Sequence, residues 1–203
     1  MRKFTNKHLI HSTLIALLLS SIPSVVYAHD GGNTPFGSFL TGLVHPVLGY
    51  DHFLAMLSVG ILSAQIGGRA IWTVPATFVL VMAVGGGLGL INIGLTSTEV
   101  GIAASLFILG LIIALDRKLR TPLAMLGVGF FAIFHGYAHG SEMPLTAEPI
   151  KYAFGFLTGT ALIHIAGVVI GDIAKHYNSG KIILRISGGL IALVGMLIII
   201  GLL

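Results

Sequence analysis

From residue 37 to the carboxyl end, six apolar stretches follow one another with short polar breaks, and this feature limits the fold more than any other. A helix needs about 20 residues to cross a hydrocarbon core about 30 Å thick. The stretches fall near residues 37–64, 71–94, 99–115, 121–139, 151–173 and 182–203, and the third is short. In lipid every backbone polar group must be hydrogen-bonded within the chain, so stretches of this kind form helices. The sequence therefore predicts an all-α, polytopic membrane helical bundle of about six transmembrane helices. Charged residues make up only 9 % of the 203, against roughly 25 % in soluble domains. An ordinary water-soluble globule is excluded, and the length suits one compact bundle.

Residues 1–28 read as a cleavable signal peptide. Arg2, Lys3 and Lys7 give the positive end, Thr13 to Ile22 a short apolar core, and Val26-Tyr27-Ala28 the residues before the cut. The alternative is an uncleaved first membrane helix. Cleavage leaves a transmembrane domain over 29–203 that begins His29-Asp30-Gly31-Gly32. His29 would then join a free α-amine to an imidazole, a bidentate chelate suited to metal capture.

The formal charge of +4 could suggest nucleic-acid binding. The basic residues instead lie in alternate short loops, as cytoplasmic loops do: Arg69, then Arg117, Lys118 and Arg120, then Lys175, Lys181 and Arg185. A nucleic-acid partner is rejected, and the lipid bilayer is the expected surroundings. The alternation predicts that these loops face the cytoplasm and that both mature termini face outward.

There are no cysteines, so thiolate metal sites, disulfides and catalytic thiols are excluded. No GxxxxGK[ST] loop occurs, which removes that route to ATP hydrolysis. Gly85-x-x-x-Gly89, Gly155-x-x-x-Gly159 and Gly167-x-x-x-Gly171 put small residues on one helical face, where backbones can approach closely.

Ionisable side chains deep in a span cost roughly 2.5–3.5 kcal/mol each on insertion scales, so they need partners and are functional candidates. Two groups stand out. One is His45-Pro46-Val47-Leu48-Gly49-Tyr50-Asp51-His52, followed by Met56; His45 and His52 are seven apart and Met56 is four beyond His52, so on a helix the three would lie on a similar face. Pro46 suits the first turn of a helix, which would put His45 near a helix start, with the first span broken there. Asp51 can orient the neighbouring imidazole or bind metal itself. The other group is Phe134 to Glu142, in which His135, His139 and Glu142 follow the i, i+4, i+7 stripe of one helix. Two imidazoles four apart can reach one ion. Imidazole with carboxylate suits Ni²⁺, Co²⁺, Zn²⁺, Cu²⁺ or Fe²⁺ and not Mg²⁺ or Ca²⁺. Glu99 is a further candidate at the start of the third span. His164 and Asp172 in the fifth span are candidates for an exit path or for structural roles.

With the signal peptide and the span count, HPVLGYDH (His45 to His52) with the following Phe-Leu-Ala-Met, and FHGYAHGSE (Phe134 to Glu142), resemble the HupE/UreJ family of hydrogenase- and urease-accessory membrane proteins. The likeness covers essentially the whole mature chain. It implies a secondary permease, not an enzyme, importing nickel or cobalt across the inner membrane, with the ion as cargo and no organic cofactor. It also implies that His45, Asp51, His52, His135, His139 and Glu142 are needed for transport, with Glu99 assisting. A homo-oligomer or a metallochaperone partner stays open. So do two other classes: an intramembrane metal-dependent hydrolase with Asp51 or Glu142 as base, and a haem protein with axial histidines. Because spans one to three and four to six would run in opposite senses, with a metal motif on the first of each, an inverted repeat is also expected.

Overall fold

The computed structural model describes residues 37–203, which lie within one compact unit. The expected signal peptide, and the His29-Asp30-Gly31-Gly32 segment after it, fall outside the described residues. Among the described residues the secondary structure is helical throughout, with no strand. The helices are α1 (Gly37–Leu48), α2 (Tyr50–Ile66), α3 (Ala70–Leu90), α4 (Thr98–Ala114), α5 (Thr121–Ser141), α6 (Pro149–Lys175) and α7 (Asn178–Ile199). Helices α3, α5, α6 and α7 are each long and apolar enough to cross a bilayer, and α1 with α2 does so as a pair bent by 83°. Helix α4 has 17 residues, about 26 Å at 1.5 Å per residue, slightly less than the hydrocarbon thickness. The protein is a membrane helical bundle.

The break in the first span differs from the sequence expectation. Pro46 does not open a helix; it lies in the last turn of α1, with His45 beside it. The chain turns at Gly49, whose backbone is extended (φ −91°, ψ 111°). The Phe53 amide then donates to the Gly49 carbonyl at 2.9 Å and starts α2. Proline alone does not say which side of it a helix lies on, since it ends helices as well as beginning them. Other boundaries shift modestly. Helix α3 stops at Leu90 and Asn92 adopts a left-handed φ of 53°, which no helix continues through. Helix α6 begins two residues earlier than expected, because Pro149 occupies its first turn.

Close glycine contacts set the packing. Helices α1 and α2 run along α6 in the same direction: Gly155 meets the Phe39 carbonyl, Gly159 that of Leu43, Gly167 that of Leu57, and Gly171 packs on Ile61 and Ala64. Helix α3 runs along α5 in the same way, with Gly85 against Ile133, Gly136 against Met82 and Gly89 against Tyr137 and Gly140. Helix α4 lies antiparallel to α7, Gly110 facing Gly188 and Gly195 facing Ala103. A β-carbon at most of these glycines would run into facing backbone, which is why small residues occupy them.

Counted as spans, the first packs on the fifth, the second on the fourth, and the third on the sixth. Exchange of the two halves converts the first pairing into the second and leaves the third unchanged. This is the contact pattern an inverted repeat requires.

The two ends of the bundle differ in charge. Gln65, Asp116, Lys118, Lys175, Lys181 and Leu184 line one hollow, so the loops after α2, α4 and α6 meet at a single basic end. At the opposite end the Glu148 amide donates to Ser38 Oγ at 2.8 Å, tying the start of α6 to the start of α1. Large apolar side chains such as Trp72, Leu126 and Phe154 point outward, as lipid-facing residues do.

Candidate metal centre

The break at Gly49 separates His45 on α1 from His52 on α2, so the two do not share one helical face as their spacing suggested. Each instead contacts His139 on α5. His135 and His139 lie on the inward stripe of α5 and are fully or almost fully buried. Glu142 caps that helix, its amide donating to the Ala138 carbonyl at 2.9 Å, so the stripe read from the sequence is present.

The imidazoles form a continuous row. His45 and His139 have ring centroids 4.8 Å apart, His139 and His52 4.4 Å, and His52 and His135 5.0 Å. At one end of the row, Glu142 Oε2 lies 3.6 Å from His45 Nε2. One ligand atom from each of His45, His139 and Glu142 can be chosen so that all three lie within 4.8 Å of one another. Imidazole donors bind such ions at about 2.0–2.1 Å, which keeps two donors within about 4.2 Å, so small rotamer changes would close this set on one ion.

Two imidazoles have their proton positions set by neighbours. His52 Nδ1 is 2.9 Å from Asp51 Oδ1, and the same oxygen accepts from the His52 amide at 2.8 Å. A carboxylate only accepts, so Nδ1 carries the proton and Nε2 is left with a free lone pair. Asp51 stands in the first turn of α2, where the helix dipole favours a negative charge. Its role in the geometry is to orient His52, and it is not one of the three clustered donors.

His135 Nε2 is 3.0 Å from Ser105 Oγ on α4. That hydroxyl donates its proton to the Ile102 carbonyl at 2.6 Å, so it can only accept from the imidazole. His135 Nδ1 is then the free lone pair. Buried and without a hydrogen-bond partner among the described residues are His52 Nε2, His135 Nδ1, and both ring nitrogens of His139. Each unsatisfied buried polar group costs about 1–3 kcal/mol, a heavy outlay for packing alone.

Other predicted residues stand apart. Glu99 is exposed in the first turn of α4 and does not belong to the cluster. Met56 is fully buried in the apolar core one turn beyond His52. Asp172 is paired with Lys175 towards the basic end.

Sequence reasoning missed Ser105, Phe78, Tyr152 and Phe156. Tyr152 touches the ring of His45 (5.9 Å between centroids), Phe156 that of His139 (4.2 Å), and Phe78 that of His135 (5.5 Å). The period-four run Tyr152, Phe156, Thr160, His164 was a usable signal, since it marks one face of α6.

The family description HupE / UreJ protein matches residues 16–198 of the chain. Protein HupE of Rhizobium leguminosarum bv. viciae is 40 % identical over 192 residues, which cover 95 % of this chain and 97 % of that protein. No solved structure is significantly similar.

Proposed function

The chain belongs to the HupE/UreJ family, and on that premise we propose that it is a secondary transporter importing Ni²⁺ or Co²⁺ across the inner membrane. The metal would serve maturation of a metalloenzyme such as a hydrogenase or urease. The observation that carries this reading is the row of four touching imidazoles, with four buried nitrogens lacking partners, that starts at the half-exposed carboxylate of Glu142. Nitrogen donors with one carboxylate suit a borderline transition metal and suit Mg²⁺ or Ca²⁺ poorly.

In this reading the basic end faces the cytoplasm and Glu142 faces outward. Glu142 supplies the negative charge that offsets part of the cation's charge as water is shed. His45 and His139 replace water ligands. His52, oriented by Asp51, and His135, oriented by Ser105, offer the next free lone pairs along the row. The bend at Gly49 breaks a span beside the site, an arrangement that transporters use where a helix must move around a bound ion.

The test is uptake of radioactive nickel and of radioactive cobalt by cells expressing the chain, each competed with the other unlabelled metal. Saturable uptake with mutual competition is expected. Uptake equal to that of cells lacking the chain would defeat the reading.

A further inference from the structure

Beyond the row described above, a second set of polar side chains lies further along the same helices. On α6, Tyr152, Phe156, Thr160 and His164 recur every fourth residue and are all buried. At 1.5 Å per residue the stripe descends about 6 Å per step, so His164 lies about 18 Å along the axis from Tyr152. Tyr152 and Phe156 touch His45 and His139. The next two members face α3, where Thr160 Oγ1 lies 4.0 Å from Met82 Sδ and the His164 ring packs on Phe78 at 5.1 Å. Phe78 also touches His135 at 5.5 Å. A single aromatic ring therefore stands in contact with the last imidazole of the row and with His164.

His164 is 1 % exposed, and neither of its ring nitrogens has a hydrogen-bond partner among the described residues. Among the described residues no carboxylate is paired with it, and its one ring contact is with Phe78. A packing residue at this position would more cheaply be apolar.

We propose that His164, with the Thr160 hydroxyl one turn before it on α6 and the Met82 thioether one turn beyond Phe78 on α3, is a second, transient station for the same transition-metal ion, reached past Phe78. This rests on the transport reading above and names its inner step. Imidazole and thioether are soft-to-borderline donors that accept nickel or cobalt and reject hard cations. The set carries no negative charge, unlike the group that includes Glu142. A divalent ion is thus held less firmly there, as is needed of a place from which it must leave.

The chain has no cysteine, so His164→Cys introduces a unique thiol. Purified full-length protein carrying this change, titrated with Co²⁺, should develop the near-ultraviolet charge-transfer absorption of a cobalt–thiolate bond. In uptake assays His164→Phe fills the space without a nitrogen donor. It should lower the maximal rate at least tenfold with the half-saturating metal concentration unchanged, because the Glu142 end of the row is intact. Co²⁺ binding without the thiolate absorption, or wild-type uptake by His164→Phe, would overturn the inner station alone. If the wild-type protein itself neither binds nor takes up Co²⁺, the transport reading fails and the station with it.

Discussion

Ser105→Ala is a sharp probe of how the row is held. The Ser105 hydroxyl donates to the Ile102 carbonyl and accepts from His135, in a region with no exposure. Removing it strands the His135 Nε2–H group, which costs about 1–3 kcal/mol, or about 5- to 150-fold in the unfolding equilibrium. It also frees the imidazole to rotate or change tautomer. Loss of such an orienting partner typically costs about 10- to 100-fold in metal affinity or activity. Ser63→Ala is the matched control: Ser63 is equally buried, and its hydroxyl donates only to the Gly60 carbonyl of its own helix, at 2.7 Å. Both variants lose one local bond, and only Ser105→Ala leaves an imidazole unpaired. Equilibrium unfolding in mixed detergent micelles and metal uptake should both separate the pair, with Ser105→Ala the worse. Indistinguishable stability and uptake would refute the assignment of the His135 proton.

Three further outcomes are expected. His52→Ala or His139→Ala should abolish uptake while the protein still reaches the membrane, and His176→Ala, exposed beyond α6, should transport normally; full uptake by either core variant would remove that histidine from the site. Gly136→Ala places a β-carbon against the Met82 carbonyl, so the unfolding equilibrium should shift by about 1–3 kcal/mol, whereas Gly127→Ala, which meets nothing within 4 Å, should not lose stability. A reporter fused after Arg120 or Lys181 should read as cytoplasmic and one near Ala147 as external; the reverse would turn the direction of transport around.

The sequence showed much of this because membrane physics leaves few options. Apolar length marked the spans, and the small-xxx-small glycines on α3 and α6 all meet neighbouring backbone. The His135, His139, Glu142 stripe needed only helical periodicity. What stayed hidden depends on contacts between distant segments. His45 and His52 looked like one face of one helix, and only the turn at Gly49 shows that each reaches His139 from a different helix. Ser105 lies in an otherwise apolar run and looks like a neutral filler until α4 is set beside α5. Pro46 signalled a disruption without fixing which side of it the helix occupies.

Transport by the purified chain alone is the most direct test of the central claim. Proteoliposomes holding only this protein and an entrapped metal-sensitive dye would be exposed to Ni²⁺ or Co²⁺. Expected are saturable influx of either ion with the wild type, loss of influx with His139→Ala and with Glu142→Gln, and no response to Mg²⁺. Influx no greater than in protein-free vesicles, or unchanged by both substitutions, would contradict a metal path through the histidine row.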